Sequence, residues 1–354
     1  MRWSRLRLSA VALLAASAGL LPAPASAVSG PGAVSGAGAV SGSGAVLGAV
    51  ACEDLRVPVT VLGTRHSVHG RLCTPAGAST VQVLIPGGTY NSSYWDISHS
   101  PDTRSYRQAM NRAGIATLAV DRLGTGRSSR PLSALVTAST QAHAVHQVVR
   151  AVRPRFEKVV VGGHSIGAAM ALIEAGTYRD VDGVLVTGFT HRMNLVTVVP
   201  ALAGMIPAVL DPQLQRSGLD VGYLTTAPGT RYGSFHAPGA RVDDAIAFDE
   251  ATKDVFAASE AVDTITLHNV VVPFTRLVDV PVMVVVGAGD THFCGRPLGS
   301  DCRSADSLRD SESPFFSPAA RLHAHVLPDY GHSINYAPNA PTYHQAVQAW
   351  TATL

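Results

Sequence analysis

The chain has 354 residues, of which 46% are apolar and 15% charged, with a formal net charge of +2. So even a balance, without any run of like charge, excludes a polyanion-binding surface and gives no reason to expect nucleic acid as a partner. The apolar share suits one large folded core, and no segment beyond residue 27 is long and apolar enough to read as a transmembrane helix.

Residues Met1 to Ala27 have the layout of a secretory signal peptide. Arg2, Arg5 and Arg7 form the basic part, Leu8 to Leu21 the apolar part, and Ala25-Ser26-Ala27 the A-x-A cleavage site. The apolar part is about 14 residues, shorter than the roughly 20 of a membrane span, so cleavage after Ala27 is expected, with export and no stable membrane anchor. From Val28 to about residue 50 the tetrapeptide Ala-Val-Ser-Gly recurs at 27–30, 33–36 and 39–42. Almost nothing there can be buried, which predicts a flexible linker ahead of a folded domain over 51–354. Four cysteines in an exported chain favour disulfides. Of the three connectivities, pairing sequence neighbours gives Cys52–Cys73 and Cys294–Cys302. No C-x-x-C occurs, so zinc is not expected at the cysteines.

Val57 to Leu62 and Gly70 to Thr74 read as an antiparallel pair, and Val81 to Ile85 as a buried strand ended by Pro86-Gly87-Gly88. Helices are expected over Asp102–Ala113 and Ala134–Val152, with a strand at Ile115–Val120 between them. Lys158 to Val161 is the next strand, followed at once by a helix over Ser165–Gly176, then strands at Val184–Val186 and Val282–Val286. Leu322 to Leu327 is the last strand, and Tyr343 to Trp350 belongs to a terminal helix. Continuous β-branched strands separated by helices imply an α/β fold, with a mostly parallel central sheet and helices on both faces. Roughly 90 residues separate the strands at Val184 and Val282, too many for a simple crossover. With an apolar stretch at Leu195–Leu210 and an amphipathic helix over Asp243–Val262, this predicts an inserted helical cap at about 190–275.

The chemistry centres on Gly163-His164-Ser165-Ile166-Gly167, a G-x-S-x-G between strand and helix. Such a turn lifts a serine Oγ clear of the sheet, as a nucleophile elbow. A serine hydroxyl needs a base, and the base an orienting acid. His332, in the loop after the last strand, is the expected base, and Asp290, at the end of Val284-Val285-Val286-Gly287-Ala288-Gly289-Asp290, the expected acid; Asp301 and Asp306 are weaker candidates. Backbone donors for an oxyanion are expected from Ile166 and from the loop after the Val81 strand, at Gly88, with Thr89 as the alternative. Gly124-x-Gly126 lacks the full G-x-G-x-x-G and reads as a structural turn, with Arg122 and Arg127 facing solvent or paired to Asp121. His323 and His325 alternate on a strand without an evident third metal ligand.

Taken together, Pro86-Gly87-Gly88-Thr89-Tyr90, Asp121-Arg122-Leu123-Gly124-Thr125-Gly126-Arg127-Ser128, the elbow, Gly287-Ala288-Gly289-Asp290 and Gly331-His332 make the chain resemble the α/β-hydrolase superfamily over about residues 55–354. Many members have His-Gly where this chain has Pro86-Gly87. Serine at 165 departs from the dehalogenase and epoxide-hydrolase branches, which use aspartate there. The resemblance implies a serine hydrolase, expected to act on a small-molecule carboxylic ester without a metal or organic cofactor, and the apolar stretch Leu195–Leu210 suggests an apolar acyl or alcohol group. A peptidase, lactonase or acyltransferase on the same three residues is the alternative, and a non-catalytic binding protein a more distant one. Asp243, Asp244, Asp249 and Glu250, which a peptidase would use to hold an amine, read as a solvated helix face.

Overall fold

Runs of valine and isoleucine put β-branched side chains on both faces of each inner strand, and both faces are covered. The computed structural model describes residues 49–215, 217–266 and 274–354. The expected signal peptide and nearly all of the Ala-Val-Ser-Gly linker lie outside the described residues.

Chain order runs β1 (Val50–Val61), β2 (Thr64–Pro75), β3 (Thr80–Ile85), α1 (Pro101–Arg104), α2 (Tyr106–Arg112), β4 (Ala116–Val120), α3 (Ala138–Val152), β5 (Lys158–His164), α4 (Ile166–Tyr178) and β6 (Gly183–Thr187). An insert follows, with α5 (Leu195–Ala203), β7 (Met205–Pro207), β8 (Tyr223–Thr226), α6 (Asp243–Thr252), β9 (Phe256–Ala257) and α7 (Ala258–Thr266). The chain then returns through β10 (Val282–Gly287), α8 (Ala305–Glu312), β11 (His323–Leu327) and α9 (Ala340–Thr351). Among the described residues, eight strands form one sheet in the order β1-β2-β4-β3-β5-β6-β10-β11. From β4 to β11 the neighbours are parallel; β1 and β2 join antiparallel at one edge.

Strand alternation divides the interior in two. Val83, Val159, Val161, Val184 and Val286 pack with α3 and α4 on one face, and Leu84, Val160, Leu185 and Val285 with α2 and α9 on the other. The β1–β2 hairpin turns through Leu62 and Gly63, both at positive φ, which matches the twist of its strands. Its register sets Cys52 opposite Cys73, with the sulfurs 2.07 Å apart; those of Cys294 and Cys302 are 2.01 Å apart.

Three of the expected helices differ from the sequence reading. The helix expected over Asp102–Ala113 is broken at Ser105, whose side chain caps a new helix by accepting the Gln108 N–H. The helix expected from Ala134 starts only at Ala138, after a Thr137–Thr140 capping box. The single helix expected over Asp243–Val262 is two, because Lys253 turns to extended backbone and Asp254 is held by the Gly126 N–H and the Asn91 amide. The insert also carries a three-stranded antiparallel sheet, β7-β8-β9, beside its helices.

Candidate active site

All the candidate residues follow the carboxyl ends of parallel strands: Gly88 after β3, Ser165 and Ile166 after β5, Asp290 after β10 and His332 after β11. Ligands of open α/β sheets bind at this edge.

Ser165 sits at φ 55° and ψ −126°, outside the regions that side chains usually occupy. The turn is possible because its glycines pass at contact: a Cβ on Gly163 would lie 2.1 Å from the Gly167 carbonyl oxygen. It is fastened from β6, where the Thr187 carbonyl accepts the Ser165 N–H at 2.8 Å and the Thr187 hydroxyl donates to the Gly163 carbonyl at 3.0 Å.

His332 and Asp290 are both buried, with His332 Nδ1 2.8 Å from Asp290 Oδ2. The other carboxylate oxygen accepts the His292 N–H at 3.0 Å, and the Asp290 carbonyl accepts the Cys294 N–H at 2.8 Å. Burial alone would raise the Asp290 pKa, but the charge and hydrogen bond of His332 and the His292 N–H hold it below its ordinary value. Gly188 at φ +57° leaves room for the imidazoles: a Cβ there would stand 2.6 Å from the His164 ring and 3.3 Å from the His332 ring.

Gly88 faces Ile166 across the elbow, where an added Cβ would be 3.3 Å from Ile166 Cδ1. Thr89 is fully buried at φ 63°, and its hydroxyl accepts a hydrogen bond from Arg231 at 3.0 Å, so its side chain is already engaged. Ser165, His332 and Gly88 line one pocket of about 90 Å³ among the described residues. The rest of its wall is largely apolar and comes mostly from the insert, through Val198 and Leu202 of α5, Phe256 of β9 and Ile265 of α7, with Phe293 from the loop after β10. Asp301 and Asp306 lie apart from it, paired to Arg303 and Arg309.

Several residues around the site escaped the sequence reading. Arg122 neither faces solvent nor pairs with Asp121: it is 2% exposed, forms a buried ion pair with Glu260 of α7 and donates to the Gly87 carbonyl at 3.1 Å. Arg127 does reach the surface, where it pairs with Asp54 at 2.9 Å. Asp249 is not on a solvated face. It is wholly buried, 2.8 Å from Arg231 and 2.7 Å from His236 Nε2. Burial would raise its pKa, but Arg231 and His236 hold it below the ordinary value. The Arg231 guanidinium lies 4.3 Å over the Tyr90 ring, and the Tyr90 hydroxyl is 2.7 Å from Ser333 Oγ, beside His332. His292 lines the pocket as well as bracing Asp290 through its N–H, and burial and His332 lower its pKa. Nothing in the spacing of Arg122 and Glu260, or of Arg231, His236 and Asp249, points to their pairing.

The sequence profile of the alpha/beta hydrolase family matches residues 82–344. A search of curated protein sequences finds no match. Among solved structures, an esterase from Thermogutta terrifontis superposes with a TM-score of 0.59 at 15% identity, covering 85% of this chain and 98% of its own. A carboxylesterase from Bacillus subtilis gives 0.59 at 14% identity, covering 86% and 93%, and a bacterial membrane phospholipase A gives 0.52 at 16%, covering 85% and 86%. At these identities the likeness speaks for the fold; the profile match, over most of the chain, assigns the chain to the alpha/beta hydrolase family.

Proposed function

We propose that the protein is an exported serine esterase in which Ser165 is the nucleophile, His332 the base and Asp290 the orienting acid. The observation that carries this reading is the 2.8 Å His332–Asp290 contact opening onto the same pocket as the elbow serine. Ser165 Oγ attacks the ester carbonyl as its proton passes to His332 Nε2, and the buried carboxylate of Asp290 stabilises the imidazolium. The N–H groups of Ile166 and Gly88 receive the oxyanion. The imidazolium then protonates the leaving alcohol, and His332 activates the water that releases the acid from the acyl-enzyme.

The insert acts as a cap whose apolar residues form most of the acyl site. A pocket of about 90 Å³ favours a short acyl group. An N-terminal-trimming peptidase is disfavoured: no carboxylate lines the pocket among the described residues, and Asp249 is already bound to Arg231 and His236. Export with removal of Met1–Ala27, leaving a linker ahead of the folded domain, accords with two cysteine pairs at bonding distance. No helix among the described residues is long and apolar enough to cross a membrane.

A fluorophosphonate probe is expected to label the protein once, and Ser165→Ala to abolish labelling without changing the circular dichroism spectrum. On a panel of p-nitrophenyl esters and aminoacyl anilides, turnover should be confined to the esters and fall with acyl length. Labelling that survives Ser165→Ala, or faster turnover of the anilides, overturns the proposal.

A further inference from the structure

At the end of α4 remote from Ser165, three metal-ligand side chains converge outside the active site. His146 stands on α3, Glu174 near the end of α4 and Asp180 just beyond it, and one ligand atom from each lies within 4.8 Å of the other two. His146 Nδ1 is 2.9 Å from Asp180 Oδ2 and 3.7 Å from Glu174 Oε1. Glu174 is fully buried, yet neither of its carboxylate oxygens has a hydrogen-bond partner among the described residues. Asp180 Oδ1 also lacks one. Three acceptor-bearing groups aimed at one point, one of them out of reach of water, are costly unless something positive lies between them.

We propose that His146, Glu174 and Asp180 bind one divalent zinc-type cation. Two carboxylates and a neutral imidazole carry a formal charge of −2, which one such ion balances. One nitrogen and two oxygens suit Zn²⁺, whereas Ca²⁺ takes six to eight oxygens. Tetrahedral zinc at about 2.0–2.1 Å from each ligand sets ligand atoms about 3.3 Å apart. The observed 2.9 and 3.7 Å contacts bracket that value. His146 and Asp180 are part-exposed, so water can complete the shell.

The ligands are held for the task. The Tyr178 ring stacks on the His146 ring at 3.8 Å, and the Tyr178 hydroxyl is fixed by His143 Nδ1 at 2.7 Å. The stacking fixes the plane of the His146 imidazole. Arg179 closes α4 in the left-handed conformation, which brings Asp180 back towards the helix end. Glu174 lies nine residues along the chain from Ser165, about 13 Å of helix, so the ion takes no part in acyl transfer. It would clip α3 to the end of α4.

A proton shared by two carboxyls is the competing occupant. Without a cation, burial and Asp180 push the Glu174 carboxyl up to about 9. The test is calorimetric titration of Zn²⁺ into tag-free, chelator-stripped protein, with thermal unfolding at each metal ratio. One ion per chain is expected, with a rise in Tm on binding. Glu174→Gln, which keeps the shape of the protonated acid, and His146→Gln, at a part-exposed position, should each weaken binding at least tenfold and remove the metal-dependent Tm rise. If Glu174→Gln fails to fold, His146→Gln decides. No one-to-one binding, or unchanged binding in the folded variants, overturns the proposal.

Discussion

Asp249→Asn tests how the insert is fastened over the site. In the native protein the Asp249 carboxylate neutralises the Arg231 guanidinium at 2.8 Å, and both side chains are fully buried. Asparagine preserves the shape and removes the charge, leaving a guanidinium without a counter-ion in a water-free position. Breaking a buried pair in this way costs about 3–5 kcal/mol. For about 300 ordered residues the unfolding entropy is about 0.6 kcal/mol/K, so Tm should fall by about 5–8 °C. The loss should reach catalysis as well. Arg231 holds the Thr89 hydroxyl at 3.0 Å, next to Gly88, and Asp249 positions His236, whose Nδ1 is 2.8 Å from the Tyr330 hydroxyl in the loop that carries His332. A shift of a fraction of an ångström in either loop should lower kcat about ten- to a hundredfold. Scanning calorimetry and ester hydrolysis measure the two effects, with Arg303→Ala as control. Its pair with Asp301 is exposed and screened by solvent, so its loss should leave both readouts unchanged. The double variant Arg231→Met/Asp249→Leu should recover much of the stability, since neither charge then remains. A loss below about 1 kcal/mol for Asp249→Asn refutes the reasoning.

Three further outcomes are expected. Asp290→Asn should lower kcat/KM by about 10⁴, because an amide supports neither the same tautomer nor the imidazolium. With the Asp290 pKa held below its ordinary value, that carboxylate stays ionised above about pH 4, so kcat/KM measured by initial rates should show no ionisation of Asp290 from there to neutral pH. Removing the Cys294–Cys302 bridge with a double serine variant should cost roughly 2–3 kcal/mol for so short a loop and lower kcat more than it raises KM, since the Cys294 N–H braces Asp290; unreduced peptide mapping checks the pairing. His344, buried on α9 against Tyr106 and Tyr343, has its pKa lowered by desolvation to about 3. The unfolded chain therefore binds more protons than the folded one between about pH 6.5 and 3, and stability falls as pH drops through that window. His344→Gln should flatten the change in urea midpoint between pH 7.5 and pH 5.

The parallel strands were legible because β-branched runs such as Val159–Val161 and Val284–Val286 have few alternative uses, and the elbow because Gly163 and Gly167 are dictated by backbone contact. β1 was read seven residues short at its start. Its first half is an exposed edge bearing Glu53 and Asp54, where no apolar alternation marks a strand. Arg122 and Asp249 were misread for a shared reason. Charged side chains are exposed unless paired, and their partners, Glu260 and Arg231, lie far along the chain or within an irregular insert. The split of α6 from α7 was hidden because Asp254, an unremarkable polar residue in a helical pattern, is claimed by Asn91 and Gly126 from distant loops.

The position of Cys52 bears on how the fold comes apart. β1 is the outermost strand and the first described element, paired only with β2 in the sheet. A tug on the chain ahead of Val50 would otherwise peel its twelve cross-strand pairs open one at a time, like a zip. The bridge to Cys73 stands at the third of those pairs. Fraying from that end therefore halts almost where it starts. Load arriving along the leading segment is transferred through sulfur into β2, which is itself bonded to β4 inside the sheet. A domain held at this end is anchored through β2, and β1 beyond Cys52 is spared most of that load.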